Sequence, residues 1–286
     1  MVDLKAKEKW DSKLFRIVNS TACFSLAYIL ITWGGYFAMA TMAKIFKFDS
    51  NVYYYGIRFL LNGHKWDRMK VSFIFSTFPV FALIVGLLML YIYVKGRNLK
   101  SNVNVFLLWG FVIGTSMFTS QAFLASMGAN EFNSPFYQHL GVVFAWWFLP
   151  VALVYAFNLP FTILFLYFAI NSPRHFIRFA YSYAKVNKME RRRKYFVEVA
   201  IVPFILGAVI TTMVTFPMNM FVHFVYLFSI GLSLVIGWVA LFYIEVMKDD
   251  VLAYKSLQKF GFIFLIALVF LIFFVKASWR GIFFGL

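Results

Sequence analysis

The chain has 286 residues, 63% of them hydrophobic and 22% aromatic, and a mean hydropathy of +0.79. No water-soluble domain hides that much apolar surface, so the composition excludes a soluble globular protein and requires lipid as the solvent. The net charge of +16 comes from cations in loops beside apolar runs, not on one continuous basic face, which argues for membrane sidedness and against a nucleic-acid partner.

Residues 1–19 form a charged, amphipathic lead-in, MVDLKAKEKWDSKLFR and onward. The apolar run behind it is too long for a cleaved signal peptide and is expected to stay as an anchor. Cys23 is the only cysteine and falls in that run, which rules out an intrachain disulfide or a cysteine-rich metal site.

A spanning helix needs about 20 apolar residues at roughly 1.5 Å each. Seven stretches meet this length: 20–46, 71–94, 103–127, 140–170, 197–220, 224–247 and 259–278. The expected fold class is therefore an all-α integral membrane protein, a polytopic bundle of about seven transmembrane helices filling residues 20–286.

The loop at 47–70 carries Lys47, Arg58, Lys65, Arg68 and Lys70 together with Tyr53, Tyr54, Tyr55 and Trp66. That mixture predicts an interfacial or re-entrant element. The loop at 128–139 has no Lys or Arg, whereas those at 95–102 and 248–258 do. The block at 140–170 contains Pro150 and Pro160. It is expected to be one long, tilted helix kinked near Leu149 and Leu159, the alternative being two half-helices that border a binding site.

Sidedness rests on 171–196, NSPRHFIRFAYSYAKVNKMERRRKYF, where eight Lys and Arg face the single acid Glu190. Short loops this basic are retained in the cytoplasm. With that loop inside, the N-terminus is cytoplasmic and the C-terminus extracytoplasmic. Only the 47–70 loop disagrees. Lys188, Arg191, Arg192, Arg193 and Lys194 are expected to bind anionic lipid headgroups or an acidic partner.

Lys44, Glu198, Glu245 and Lys276 fall near helix ends, where long side chains snorkel to water. Milder polar residues occupy the spans. Gly110, Gly114, Thr119 and Gln121 mark the third, and Gly207, Thr211 and Thr215 recur every four residues in the fifth. This spacing places small residues on one face, where backbones approach and hydroxyls bond across the seam. If a ligand groove exists there, Gln121 is its polar anchor. His64, Asp67 and His139 share the outer side and supply donors suited to zinc or copper, although no HExxH spacing joins them. Lys276 has no carboxylate on the third helix to act as a counter-ion, which excludes a retinal Schiff base. No GxSxG, Walker or Rossmann pattern is present.

The order of Gly34–Gly35, the aromatic stretch 53–59, FPVFALIVGLL at 78–88 and a helix opening FLLWGF resembles the layout of site-2-type intramembrane metalloproteases over about half of the chain. That family carries HExxH on its first helix, where this chain has GGYFAMATMAKIF. The resemblance therefore implies a proteolytically inactive relative.

The function expected is a non-catalytic integral membrane subunit, a scaffold packing against partner membrane proteins and membrane lipid, in a bacterial inner membrane. No cofactor is expected beyond a bound phospholipid. The alternatives are a carrier for an apolar or lipidic substrate and a membrane enzyme with an outer-face metal site.

Overall fold

The computed structural model describes residues 13–60, 66–96, 99, 101–128, 138–180, 182–216, 220–244 and 261–285. Helix α1 is Lys13–Ile45, followed by strands β1 (Ser50–Tyr53) and β2 (Gly56–Phe59). Helices α2 (Arg68–Lys95), α3 (Ser101–Gly128), α4 (Leu140–Trp146) and α5 (Val151–Ile177) come next. A short helix α6 (Met189–Phe196) runs through a π-turn at Val197–Ile201 into α7 (Val202–Thr215). Helices α8 (Met220–Ala240) and α9 (Phe262–Ala277) and strand β3 (Ile282–Phe284) complete the order.

Among the described residues, six helices are long and apolar enough to cross a membrane: Lys13–Ile45, Arg68–Lys95, Ser101–Ser126, Val151–Ile177, Met189–Thr215 and Phe221–Ala240. The chain is thus a mainly helical, multi-pass bundle. The seventh expected span is represented by α9, which has only 16 residues, or about 24 Å at the usual rise. The first twelve residues of the lead-in lie outside the described residues, and α1 is already under way at Lys13.

The core is built around α3, the most enclosed of the six, which packs against α1, α2, α4, α5 and α8. Glycine sets the closest approach. A Cβ on Gly114 would lie 2.9 Å from Gly86 Cα and would also press on the Ala82 carbonyl, so α2 and α3 meet backbone to backbone there. Gly110 makes room for the Met89 side chain, and Gly207 for the Phe24 ring. Thr115, Thr119, Thr211 and Thr215 do not reach across these seams: their hydroxyls donate to carbonyls one turn back or less in their own helices, the local option open to any helical threonine. Other hydroxyls do cross between helices, such as Ser229 to the Ser116 carbonyl at 3.3 Å.

The 140–170 block is broken, not merely kinked. Helix α4 ends at Trp146, Phe148 takes φ +50, and Pro150 stands at the N-cap of α5. A left-handed phenylalanine costs about 1 kcal/mol. Here it is held in place by Arg68, whose guanidinium lies 5.4 Å from the Phe148 ring, and by Trp147, whose Nε1 donates to Ser72 Oγ at 2.6 Å. Pro160 leaves α5 unbroken, and so does Pro173. Proline at 173 removes the N–H that would serve the Ala169 carbonyl, and the Ser172 hydroxyl donates to that carbonyl instead at 3.3 Å.

The 47–70 loop contains a hairpin. Strand β1 pairs antiparallel with β2 and, on its other edge, with β3, giving a sheet in the order β2-β1-β3. Phe37 of α1 packs edge-on to Phe284 at 5.3 Å, and Lys276 Nζ sits 4.4 Å from the Tyr54 ring. The sheet therefore caps the ends of α1 and α9.

Candidate functional site

Two polar assemblies stand out against the apolar bundle. The first is at the end of the bundle that carries the basic segment. Pro203 deprives the Val199 carbonyl of its helical partner, and the backbone answers with the π-turn, in which the Val202 N–H reaches back to the Val197 carbonyl. Ser20 of α1 donates to the freed Val199 carbonyl at 2.5 Å, and Trp109 Nε1 of α3 donates to Ser20 Oγ at 2.9 Å. One residue earlier, Glu198 accepts from Arg16 Nη2 at 2.6 Å, and both residues are buried. Lys13 stands 4.0 Å away, and the Arg16 guanidinium lies over the Tyr195 ring. Glu198 therefore does not snorkel to water, because a cation on α1 satisfies it inside the fold.

The basic cluster continues this junction on α6 and divides by face. Arg193 stacks on Trp238 at 3.3 Å and on Phe242 at 4.2 Å, and Arg192 donates to the Ile244 carbonyl. These two arginines latch α6 to the end of α8. Arg191 donates to the Ala184 carbonyl at 2.8 Å and remains exposed, as do Lys188 and Lys194. The sequence-predicted set is thus part fastening, part exposed charge.

The second assembly lies deeper, between α1, α3, α7 and α8. Tyr28 Oη pairs with His223 Nδ1 at 2.7 Å, and Thr212 Oγ1 pairs with His223 Nε2 at 2.8 Å. Gln121 Nε2 donates to Tyr226 Oη at 2.5 Å. Phe78 of α2 forms an apolar wall: Tyr226 stacks parallel to it at 5.9 Å, His139 at 4.5 Å, and Tyr36 tilts against it at 5.3 Å. Two polar atoms in this assembly have no hydrogen-bond partner, Gln121 Oε1 and His139 Nδ1, although Gln121 is fully buried and His139 is 7% exposed.

The remaining predicted positions are scattered. Asp67 caps α2, accepting from the Lys70 backbone at 2.8 Å and pairing with Lys70 Nζ at 2.7 Å. The Lys70 side chain is the main reason that its carboxyl is held below the usual carboxylate range. His64 lies outside the described residues, and His139 is stacked inside the bundle. Among the described residues, no group of three His, Cys, Asp or Glu is placed to hold a metal ion.

Sequence reasoning found Gln121 but missed what it bonds. Tyr28, Tyr36 and Tyr226 were visible only as phenols within apolar runs, a weak signal, because tyrosine is also the ordinary residue of membrane interfaces. Comparison with protein-family models, curated proteins and solved structures returns no match.

Proposed function

We propose that this chain is a non-catalytic integral membrane subunit, a seven-crossing scaffold that packs against partner membrane proteins and lipid in a bacterial inner membrane. The observation that carries the reading is the basic helix. Arg192 and Arg193 clamp α6 to the bundle, while Lys188, Arg191 and Lys194 stay exposed. A charged platform held rigid in this way suits an acidic partner surface or anionic headgroups, since its ordering cost is already met within the fold.

The seven-crossing topology has its own support. Strands β1 and β3 share one sheet, so an even number of crossings separates them. Helices α2, α3, α5, the α6–α7 unit and α8 make five, and α9 makes the sixth in spite of its length. Adding α1 gives seven, with the N-terminus and the basic helix on the cytoplasmic side. A Cys23→Ala background separates the faces. An impermeant maleimide should label Arg58→Cys in intact cells and Lys194→Cys only after lysis, and the reverse pattern would invert the map.

The scaffold role is tested by affinity purification in mild detergent followed by mass spectrometry. The wild-type chain should bring a reproducible set of membrane proteins, and the triple variant Lys188→Gln, Arg191→Gln, Lys194→Gln should lose it with its unfolding transition unchanged. A wild-type chain that emerges alone from native-lipid particles would end the proposal.

A further inference from the structure

We infer that the deep assembly around Gln121 is a binding site for the uncharged hydroxyl head of a lipid alcohol. The Gln121 amide has spent its nitrogen on Tyr226 at 2.5 Å, and its carbonyl oxygen is left buried with no partner. A buried acceptor without a partner is destabilising, and more so where no bulk water can reach it. The group that would satisfy it must donate a hydrogen bond. A hydroxyl does so; an ester or quinone carbonyl does not.

Charge narrows the class further. The surrounding groups are the phenols of Tyr28, Tyr36 and Tyr226, the Thr212 hydroxyl and the imidazoles of His139 and His223. None is an ammonium or guanidinium that would pair a phosphate, and none is a carboxylate that would pair an amine. A phosphodiester brought here would be a buried charge without a counter-ion. His139 Nδ1 is the second unsatisfied atom, and its ring stacks on Phe78, the fully buried ring on which Tyr226, the partner of Gln121, also stacks. This site is independent of the exposed cations on α6, so the scaffold proposal can fail while this one stands.

The test is native mass spectrometry of the full chain in micelles doped with 1,2-dioleoylglycerol or, separately, with dioleoylphosphatidylcholine, a phosphodiester whose zwitterionic head offers the α6 cations no net negative charge. The wild type should retain one dioleoylglycerol and show no saturable adduct of the phospholipid. Gln121→Met, close in shape but without the acceptor, should weaken the adduct about tenfold, the effect of one buried hydrogen bond. His139→Phe keeps the stack on Phe78 and should weaken it by a smaller factor; it carries the test alone if the first variant does not fold. Saturable phospholipid binding, no dioleoylglycerol adduct, or undiminished binding in the folded variants would overturn the inference.

Discussion

Replacing Glu198 with Leu removes the carboxylate that accepts from Arg16 at 2.6 Å and so breaks a buried ion pair at an arginine only 9% exposed. Lys13 is 4.0 Å from the same carboxylate but extends into solvent, so little of its energy is lost. Breaking a buried pair by deleting one member costs about 3–5 kcal/mol, whereas exchanging both members for apolar residues of similar size is close to neutral. Both side chains lie near a membrane boundary, where water relieves part of the penalty, so the expected cost of Glu198→Leu is about 3 kcal/mol. Arg16→Met should cost about the same, and the double variant no more than about 1 kcal/mol. The coupling between the sites is then about 5 kcal/mol, well above the 0.5 kcal/mol scatter of independent positions. The assay is reversible unfolding in mixed micelles against the fraction of denaturing detergent, followed by tryptophan fluorescence. Single costs that add in the double variant would refute the claim that the two charges are satisfied by each other.

Gly114→Ala should destabilise the chain by about 2 kcal/mol, the usual cost of overpacking, because its Cβ would lie 2.9 Å from Gly86 Cα and the neighbour is backbone that cannot rotate away. Gly56→Ala has nothing within 4 Å and should stay within about 0.5 kcal/mol of wild type in the same unfolding assay. On α6, Arg193→Gln gives up contacts of 3.3 Å and 4.2 Å with Trp238 and Phe242. It should cost about 1–2 kcal/mol and shift the tryptophan emission, while the exposed Arg191→Gln should leave both readouts nearly unchanged.

The helices were legible because their signal is local: about 20 apolar residues in a row is a property of the segment itself. The basic run at 191–194 was equally plain as a cluster, but not its division. Arg193 turns inward because Trp238 and Phe242 lie beneath it, and those residues are 45 and 49 positions further along the chain. The same limit hid Arg16 from Glu198 and Tyr28 from His223, since both partnerships join segments more than 180 residues apart. At Pro150 the sequence offered a kink first and a break as the alternative, and the structure has the break. The difference comes from Phe148 and its anchors Arg68 and Ser72, which lie on another helix. The strand at 282–284 could not be foreseen, because three residues carry no periodicity and pair with a hairpin near the other end of the chain.

That pairing bears on how the molecule is made. Strand β1 is synthesised early, but one of its edges waits until every later crossing has been inserted before Ile282–Phe284 arrives to cover it. Through that interval an open ladder of amide and carbonyl groups is available to any extended segment nearby, the usual origin of mispaired and swapped assemblies. Val52, fully buried and paired with Ile282 in this ladder, becomes protected only when β3 docks, so its amide exchange with deuterium should report whether a given preparation has finished maturing.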